Sequence, residues 1–156
     1  MNAPEPIPLL LRVPPPLLFA ATFVAGAGLQ YFARQTFPAV RALHFIGFGL
    51  VGCAALLALC SVGIFLAART TIVPFSAASK LVTCGPYRFT RNPMYVSLVL
   101  AYVGIATILS QPVALILLSL PVVLIHKIVI PFEEKRMRRV FGEAYDQYCS
   151  RVSRWF

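Results

Sequence analysis

Three long stretches of this chain carry no charged residue, and that constrains its fold more than anything else in the sequence. They run from Val13 to Ala33, from Ala42 to Ala68 and from Asn92 to His126. A bilayer core excludes charge, and a helix needs about 20 predominantly apolar residues to cross it. The first two stretches supply one crossing each. As a single helix, the third would be about 50 Å long against a hydrocarbon core of roughly 30 Å. Ser110-Gln111-Pro112 therefore divides it into a tight helical hairpin, and Pro121 is a kink that a neighbouring helix can absorb.

The expected fold is all-α: an integral membrane bundle of four spans in one domain covering residues 1–156. The spans fall at about 14–33, 43–68, 93–109 and 113–130, followed by a tail from 131 to 156. Pro14-Pro15-Pro16 suits a first helical turn. The first span reads as retained rather than as a cleaved signal peptide, because Glu5 precedes it and no small-residue cleavage site follows. Glycines recur as Gly26/Gly28 and Gly47/Gly49 with no strand before them, which argues for close helix packing rather than a dinucleotide loop. Apolar residues make up 59% of the chain and charged residues 12%, which excludes an ordinary soluble enzyme or a disordered chain. The four cysteines form no CxxC pair and there are only two histidines, so neither a disulfide framework nor a metal centre is expected.

Lys and Arg number 14 against 5 acidic residues, for a net +9. With four spans, 12 of the 14 basic residues fall on one side, leaving Arg34 and Arg41 on the other. The basic side faces the cytoplasm, so both termini are expected there. Beside a membrane span, such charge suits an anionic lipid surface and not nucleic acid. From Glu143 to Phe156 the apolar residues lie on one side of an expected amphipathic helix, which lies on that surface or caps the bundle.

Two segments on this side can carry chemistry. The first includes Gly85-Pro86-Tyr87-Arg88 and Arg91-Asn92-Pro93-Met94-Tyr95. Asn-Pro is a helix start, with Asn92 as N-cap and Pro93 in the first turn. A helix N-terminus beside Arg88 and Arg91 suits a carboxylate or phosphate. The competing reading is that Arg and Tyr simply anchor a membrane interface. The second segment contains Glu133-Glu134 just after a span, where carboxylates need a cation. They either bind a cationic ligand or sugar hydroxyls, or Glu134 merely pairs with Arg138 one turn on. His126 shares the Glu133 face if the helix continues past Pro131. His126, Tyr145 and Arg154 are secondary candidates for the substrate side.

The order Gly85-Pro86-Tyr87-Arg88, Arg91-Asn92-Pro93-Met94-Tyr95, Glu133-Glu134 and Phe141-Gly142-x-x-Tyr145-x-x-Tyr148 resembles the isoprenylcysteine carboxyl methyltransferase and phospholipid methyltransferase superfamily over about residues 45–156. That resemblance implies a membrane enzyme using S-adenosylmethionine at the cytoplasmic face, with an acceptor that arrives from the bilayer. It implies a cofactor site built from Val82, Tyr87, Arg88, Arg91, Asn92, Tyr95, Glu133 and Glu134. Isoprenylcysteine enzymes usually carry Arg-His-Pro where this chain has Arg91-Asn92-Pro93, which shifts the expected acceptor away from prenylcysteine. No catalytic base is assigned. Two other readings stand beside it: an NADPH-dependent lipid reductase of the sterol reductase type, and a non-enzymatic basic membrane scaffold. The scaffold reading expects the Tyr87–Tyr95 and Glu133–Glu134 segments to stay apart.

Overall fold

A computed structural model describes residues 13–34, 40–67 and 81–156. Part of the charge count behind the orientation rests on Glu5, Arg12, Arg69 and Lys80. Those residues, like the end of the second span at Ala68, lie outside the described residues.

All regular structure among the described residues is helical. Helix α1 spans Pro15–Phe32, with prolines in its first turn where no amide partner is lost. Helix α2, Arg41–Ala67, is the longest single element at 27 residues. A short turn at Gly85–Arg88 precedes α3, Pro93–Ile108. The hairpin then turns through Ser110, which adopts φ 51°, and the Gln111 amide donates to the Ala106 carbonyl at 2.8 Å. The returning arm is built from α4 (Pro112–Leu117), α5 (Ser119–Leu124), a wide π turn (Ile125–Val129) and α6 (Ile130–Phe141). Gly142 turns the chain at φ 53°, a region favourable to glycine, and α7 follows at Glu143–Arg151.

Two prolines shape the returning arm. Pro121 has no N–H for the Leu117 carbonyl, and α4 ends at Leu117. Pro131 does not end the helix, so the tail from 131 begins as a continuation of the same helix. The π turn just before it, in which the Ile130 amide reaches back to the Ile125 carbonyl, accommodates the proline, and the helix runs on to Phe141. Among the described residues, three helices are long and apolar enough to cross a membrane: α1, α2 and the returning arm Pro112–Phe141. Helix α3 is apolar but has only 16 residues. The crossing part of the returning arm ends near Ile130, because six of the seven residues from Glu133 to Arg139 are charged.

Small residues set the spacing of the bundle. Helix α2 packs along α3, and α1 packs on α4. A Cβ added to Gly104 would lie 2.8 Å from the Gly47 carbonyl oxygen, and one on Gly26 would lie 2.6 Å from the Ala114 Cα. Gly28 and Gly49, the second members of the two Gly-x-Gly pairs, face open space. Phe19, Tyr102, Ala106, Ala114 and Ile125 close the centre, where the Tyr102 hydroxyl donates to the Ala114 carbonyl at 2.8 Å. Outward faces carry exposed Val24, Phe45, Phe48 and Leu59, as a lipid-facing surface requires.

The tail differs from a single amphipathic helix reaching Phe156. Helix α7 ends at Arg151, and Val152 is extended at φ −128°, ψ 128°. Tyr145, Tyr148 and Val152 pack with Leu81, Met137 and Phe141, so the apolar side of the tail faces protein. Residues 153–155 run back across the start of α3, bonded to it by main-chain carbonyls. Main-chain hydrogen bonding by Ser153 and Arg154 to residues 90–92 competes with continuing the helix.

Candidate functional site

A cavity of about 470 Å³ opens at the end of the bundle where α3 begins and α6 emerges. That size falls within the ordinary range for ligand sites. Its apolar side comes from the first turn of α1 and from Ala58, Val62 and Phe65 of α2. The first turn of α3, from Pro93 to Tyr95, forms another wall. Ile130, Glu133, Met137 and Val140 recur at helical spacing and present one face of α6 to it.

The polar groups converge from segments far apart in sequence. The Tyr95 hydroxyl donates to Glu133 Oε1 at 2.8 Å. Arg91 NH1 lies 2.9 Å from Glu134 Oε1 and 2.7 Å from Cys149 Sγ. Arg154 grips Glu134 with two bonds, Nε to Oε1 at 2.9 Å and NH2 to Oε2 at 2.7 Å. Glu134 is 5% exposed and is held by two arginines. Arg138 pairs instead with Asp146, at 2.8 Å on the exposed side of the helix.

The two carboxylates thus have different environments. Glu134 is charge-compensated. Glu133 has a phenol for a partner, and burial pushes its carboxyl up to about 7, opposed by the Tyr95 hydrogen bond and assisted by the neighbouring Glu134 charge. Burial also pushes the Tyr87 phenol upward, with a smaller contribution from Tyr148. Arg91 Nε is buried without a hydrogen-bond partner. An orphaned guanidinium donor beside a cavity invites an anion, since leaving it unpaired costs about 1–3 kcal/mol.

Val82, Tyr87, Arg91, Asn92, Tyr95, Glu133, Glu134 and Tyr145 all line this one cavity. Arg88 does not; it is exposed at the end of the short turn. His126 is also absent from the lining, and its Nδ1 faces the Trp155 indole N–H at 3.1 Å. The π turn Ile125–Val129, which contains His126, adds one residue before Glu133 and rotates the two faces apart by roughly 100°. Arg154 reaches Glu134 from behind the wall. Asn92 occupies the N-cap position, but its side chain makes no cap bond, and Nδ2 donates to the Arg154 carbonyl at 3.0 Å. The Tyr87–Tyr95 and Glu133–Glu134 segments meet, contrary to the scaffold reading.

A family model described as phospholipid methyltransferase matches residues 42–144. The chain belongs to the phospholipid methyltransferase family. The chain is 33% identical over 73 residues to a probable protein-S-isoprenylcysteine O-methyltransferase from Oryza sativa subsp. indica. It is 34% identical over 73 residues to protein-S-isoprenylcysteine O-methyltransferase B from Arabidopsis thaliana. Each match covers 47% of this chain, but only 38% of the rice protein and 37% of the Arabidopsis one. Nickel-cobalt-cadmium resistance protein NccN from Alcaligenes xylosoxydans xylosoxydans is 32% identical over 79 residues, covering 51% of this chain and 37% of that protein. No solved structure matches the chain.

Sequence reasoning missed several residues that this phospholipid methyltransferase family member places at or behind the cavity. Ser97, Arg136 and Met137 line it. Arg136 and Met137 stand three and four residues beyond Glu133, and Ser97 four beyond Pro93, so helical spacing was their signal. Thr90 is buried and donates to the Arg154 carbonyl at 2.9 Å, while the Tyr148 hydroxyl donates to the Tyr87 carbonyl at 2.6 Å. No local pattern marks such long-range bonds. Among the described residues, no cluster of three or more His, Cys, Asp or Glu side chains could hold a metal ion.

Proposed function

We propose that this family member transfers a methyl group from S-adenosylmethionine to a membrane-embedded or amphipathic acceptor with an amine, carboxylate or thiol group. The site faces the cytoplasm, with both termini on that side. The observation that carries this reading is one cavity that joins a carboxylate hydrogen-bonded to a phenol, an incompletely bonded buried arginine and an apolar wall.

The donor set suits the cofactor, which has a carboxylate, an ammonium, ribose hydroxyls, an adenine and a sulfonium. Arg91, beside the first turn of α3, takes the carboxylate. Glu133, oriented by Tyr95, takes the ammonium or ribose hydroxyls, because Glu134 is already engaged by two guanidinium groups. Tyr87 and Tyr95 offer aromatic walls to the adenine or to the sulfonium, the latter by cation–π attraction. The main chain around Val82 completes the enclosure. When bound, the cofactor supplies an electrophilic methyl group on sulfur. The chain's residues hold it against an acceptor whose apolar part lies along α2, and they keep bulk water away. Positioning of this kind supplies much of the rate for an in-line displacement.

The test is incubation of purified protein with methyl-labelled S-adenosylmethionine and a host lipid extract, followed by identification of the labelled product. A labelled lipid or amphipathic product is the expected result. Absence of any labelled product, with NADPH binding to the same protein, would support the reductase reading instead.

A further inference from the structure

We propose that Arg154 is a positioning residue that keeps Glu134 from closing a two-bonded fork on Arg91, and so reserves the rest of the Arg91 guanidinium for an anionic group in the cavity. This rests on the assignment of Arg91 to the cofactor carboxylate.

The observation is an unequal division of one carboxylate between two arginines. Glu134 Oε2 is held by Arg154 NH2 at 2.7 Å, and Oε1 is shared between Arg154 Nε and Arg91 NH1, each at 2.9 Å. The Arg91 side chain meets Glu134 and Cys149 through NH1, and Nε has no hydrogen-bond partner. A carboxylate and a guanidinium prefer two parallel bonds when free to turn. Here the preferred geometry goes to Arg154, which is more exposed and does not line the cavity, at side-chain exposures of 34% against 13% for Arg91. Without Arg154, Glu134 can rotate onto Arg91 and close a two-bonded fork on one edge of its guanidinium.

Residues 153–155 are secured for this task. The Arg91 amide donates to the Ser153 carbonyl at 3.0 Å. Thr90 Oγ1 and Asn92 Nδ2 donate to the Arg154 carbonyl at 2.9 and 3.0 Å. The Trp155 indole N–H meets His126 Nδ1. The segment that presents Arg154 is thereby bonded on both sides of Arg91, which fixes the relative placement of the two guanidinium groups.

The test is calorimetric titration of S-adenosylmethionine into detergent-solubilised wild type, Arg154→Ala, Arg154→Ala/Glu134→Gln and Arg154→Lys. Arg154→Ala should weaken binding about tenfold or more. Adding Glu134→Gln should recover much of that loss, because a neutral amide cannot form the fork. Arg154→Lys, with one charge and no fork of its own, should lie between. A double variant weaker than Arg154→Ala would overturn the proposal, since a merely structural role predicts accumulating damage.

A second readout needs no cofactor. Arg91 NH1 sits 2.7 Å from Cys149 Sγ, so pulling Arg91 into the fork should slow N-ethylmaleimide alkylation of Cys149 several-fold, read by peptide mass spectrometry, because the positive charge that favours attack by the sulfur moves away. Unchanged alkylation in folded Arg154→Ala would overturn the proposal whatever the cofactor result. Slower alkylation in Arg154→Ala, where the wild type binds no S-adenosylmethionine, would leave the positioning intact and remove the cofactor assignment.

Discussion

The two ends of this molecule are held together by different physics. In the body of the bundle, α2 meets α3 through Gly47 and Gly104, and α1 meets α4 through Gly26 and Ala114. In lipid there is little hydrophobic gain from bringing apolar helices together, so close backbone approach and dispersion carry the contact. At the cavity end the contacts are buried ion pairs and hydrogen bonds linking residues 87–95, 133–134 and 145–155. The first kind of contact tolerates polarity poorly and added volume worse. The second tolerates volume but not the loss of one charge. A substitution therefore reports which region it sits in by the kind of damage it does.

The largest effect is expected at Glu134. Glu134→Ala leaves two arginines facing each other across a buried site, and removing one partner from such a cluster costs about 3 kcal/mol. Thermal unfolding in detergent should show it as a clear drop in midpoint. Next comes Gly104→Ala, whose new Cβ would meet Val51 Cγ2 as well as the Gly47 carbonyl oxygen, both at 2.8 Å. Overpacking of this sort costs ~2 kcal/mol, whereas Gly49→Ala, with nothing nearby, should be neutral or gain up to about 1 kcal/mol from helix propensity. Equal loss at Gly104 and Gly49 would break the comparison on the bundle side.

The Glu133 carboxyl gives a pH signature. Burial raises it from 4.5 to about 7, so its ionisation opposes folding: the penalty is absent below pH 4.5 and complete above pH 7. Glu133→Gln should thus gain stability relative to wild type as pH rises through that window. Ligand affinity should move the other way. A cationic group bound by Glu133 should be held close to tenfold more tightly at pH 7.5 than at pH 6, and Glu133→Gln should flatten that rise. The smallest effect belongs to Arg138→Ala. Its pair with Asp146 is exposed on both sides, and its loss should leave the thermal unfolding midpoint nearly where it was.

How much of this could be read from sequence differed between the same two regions. Uncharged runs revealed the helices of the bundle, because exclusion of charge from lipid is a local and nearly absolute rule. The hairpin at Ser110–Pro112 followed from length alone. The cavity was legible in part, since Tyr95 and Glu133, or Arg91 and Glu134, are recognisable types beside helix ends. Which carboxylate is neutralised was not legible, because that depends on Arg154 returning from 20 residues away. Pro131 left the helix's continuation open for a similar reason: a proline signals a break, and whether a π turn absorbs it depends on the surrounding packing. The same extra residue turned His126 towards Trp155.

The central claim is that the cavity end is a cofactor site built on Glu133 and Arg91. Calorimetric titration of S-adenosylhomocysteine into wild type, Glu133→Ala, Arg91→Ala and Arg88→Ala tests it most directly. The account predicts saturable binding by wild type and by Arg88→Ala, with affinity reduced about tenfold or more in the other two variants. Wild-type affinity in both Glu133→Ala and Arg91→Ala would contradict it.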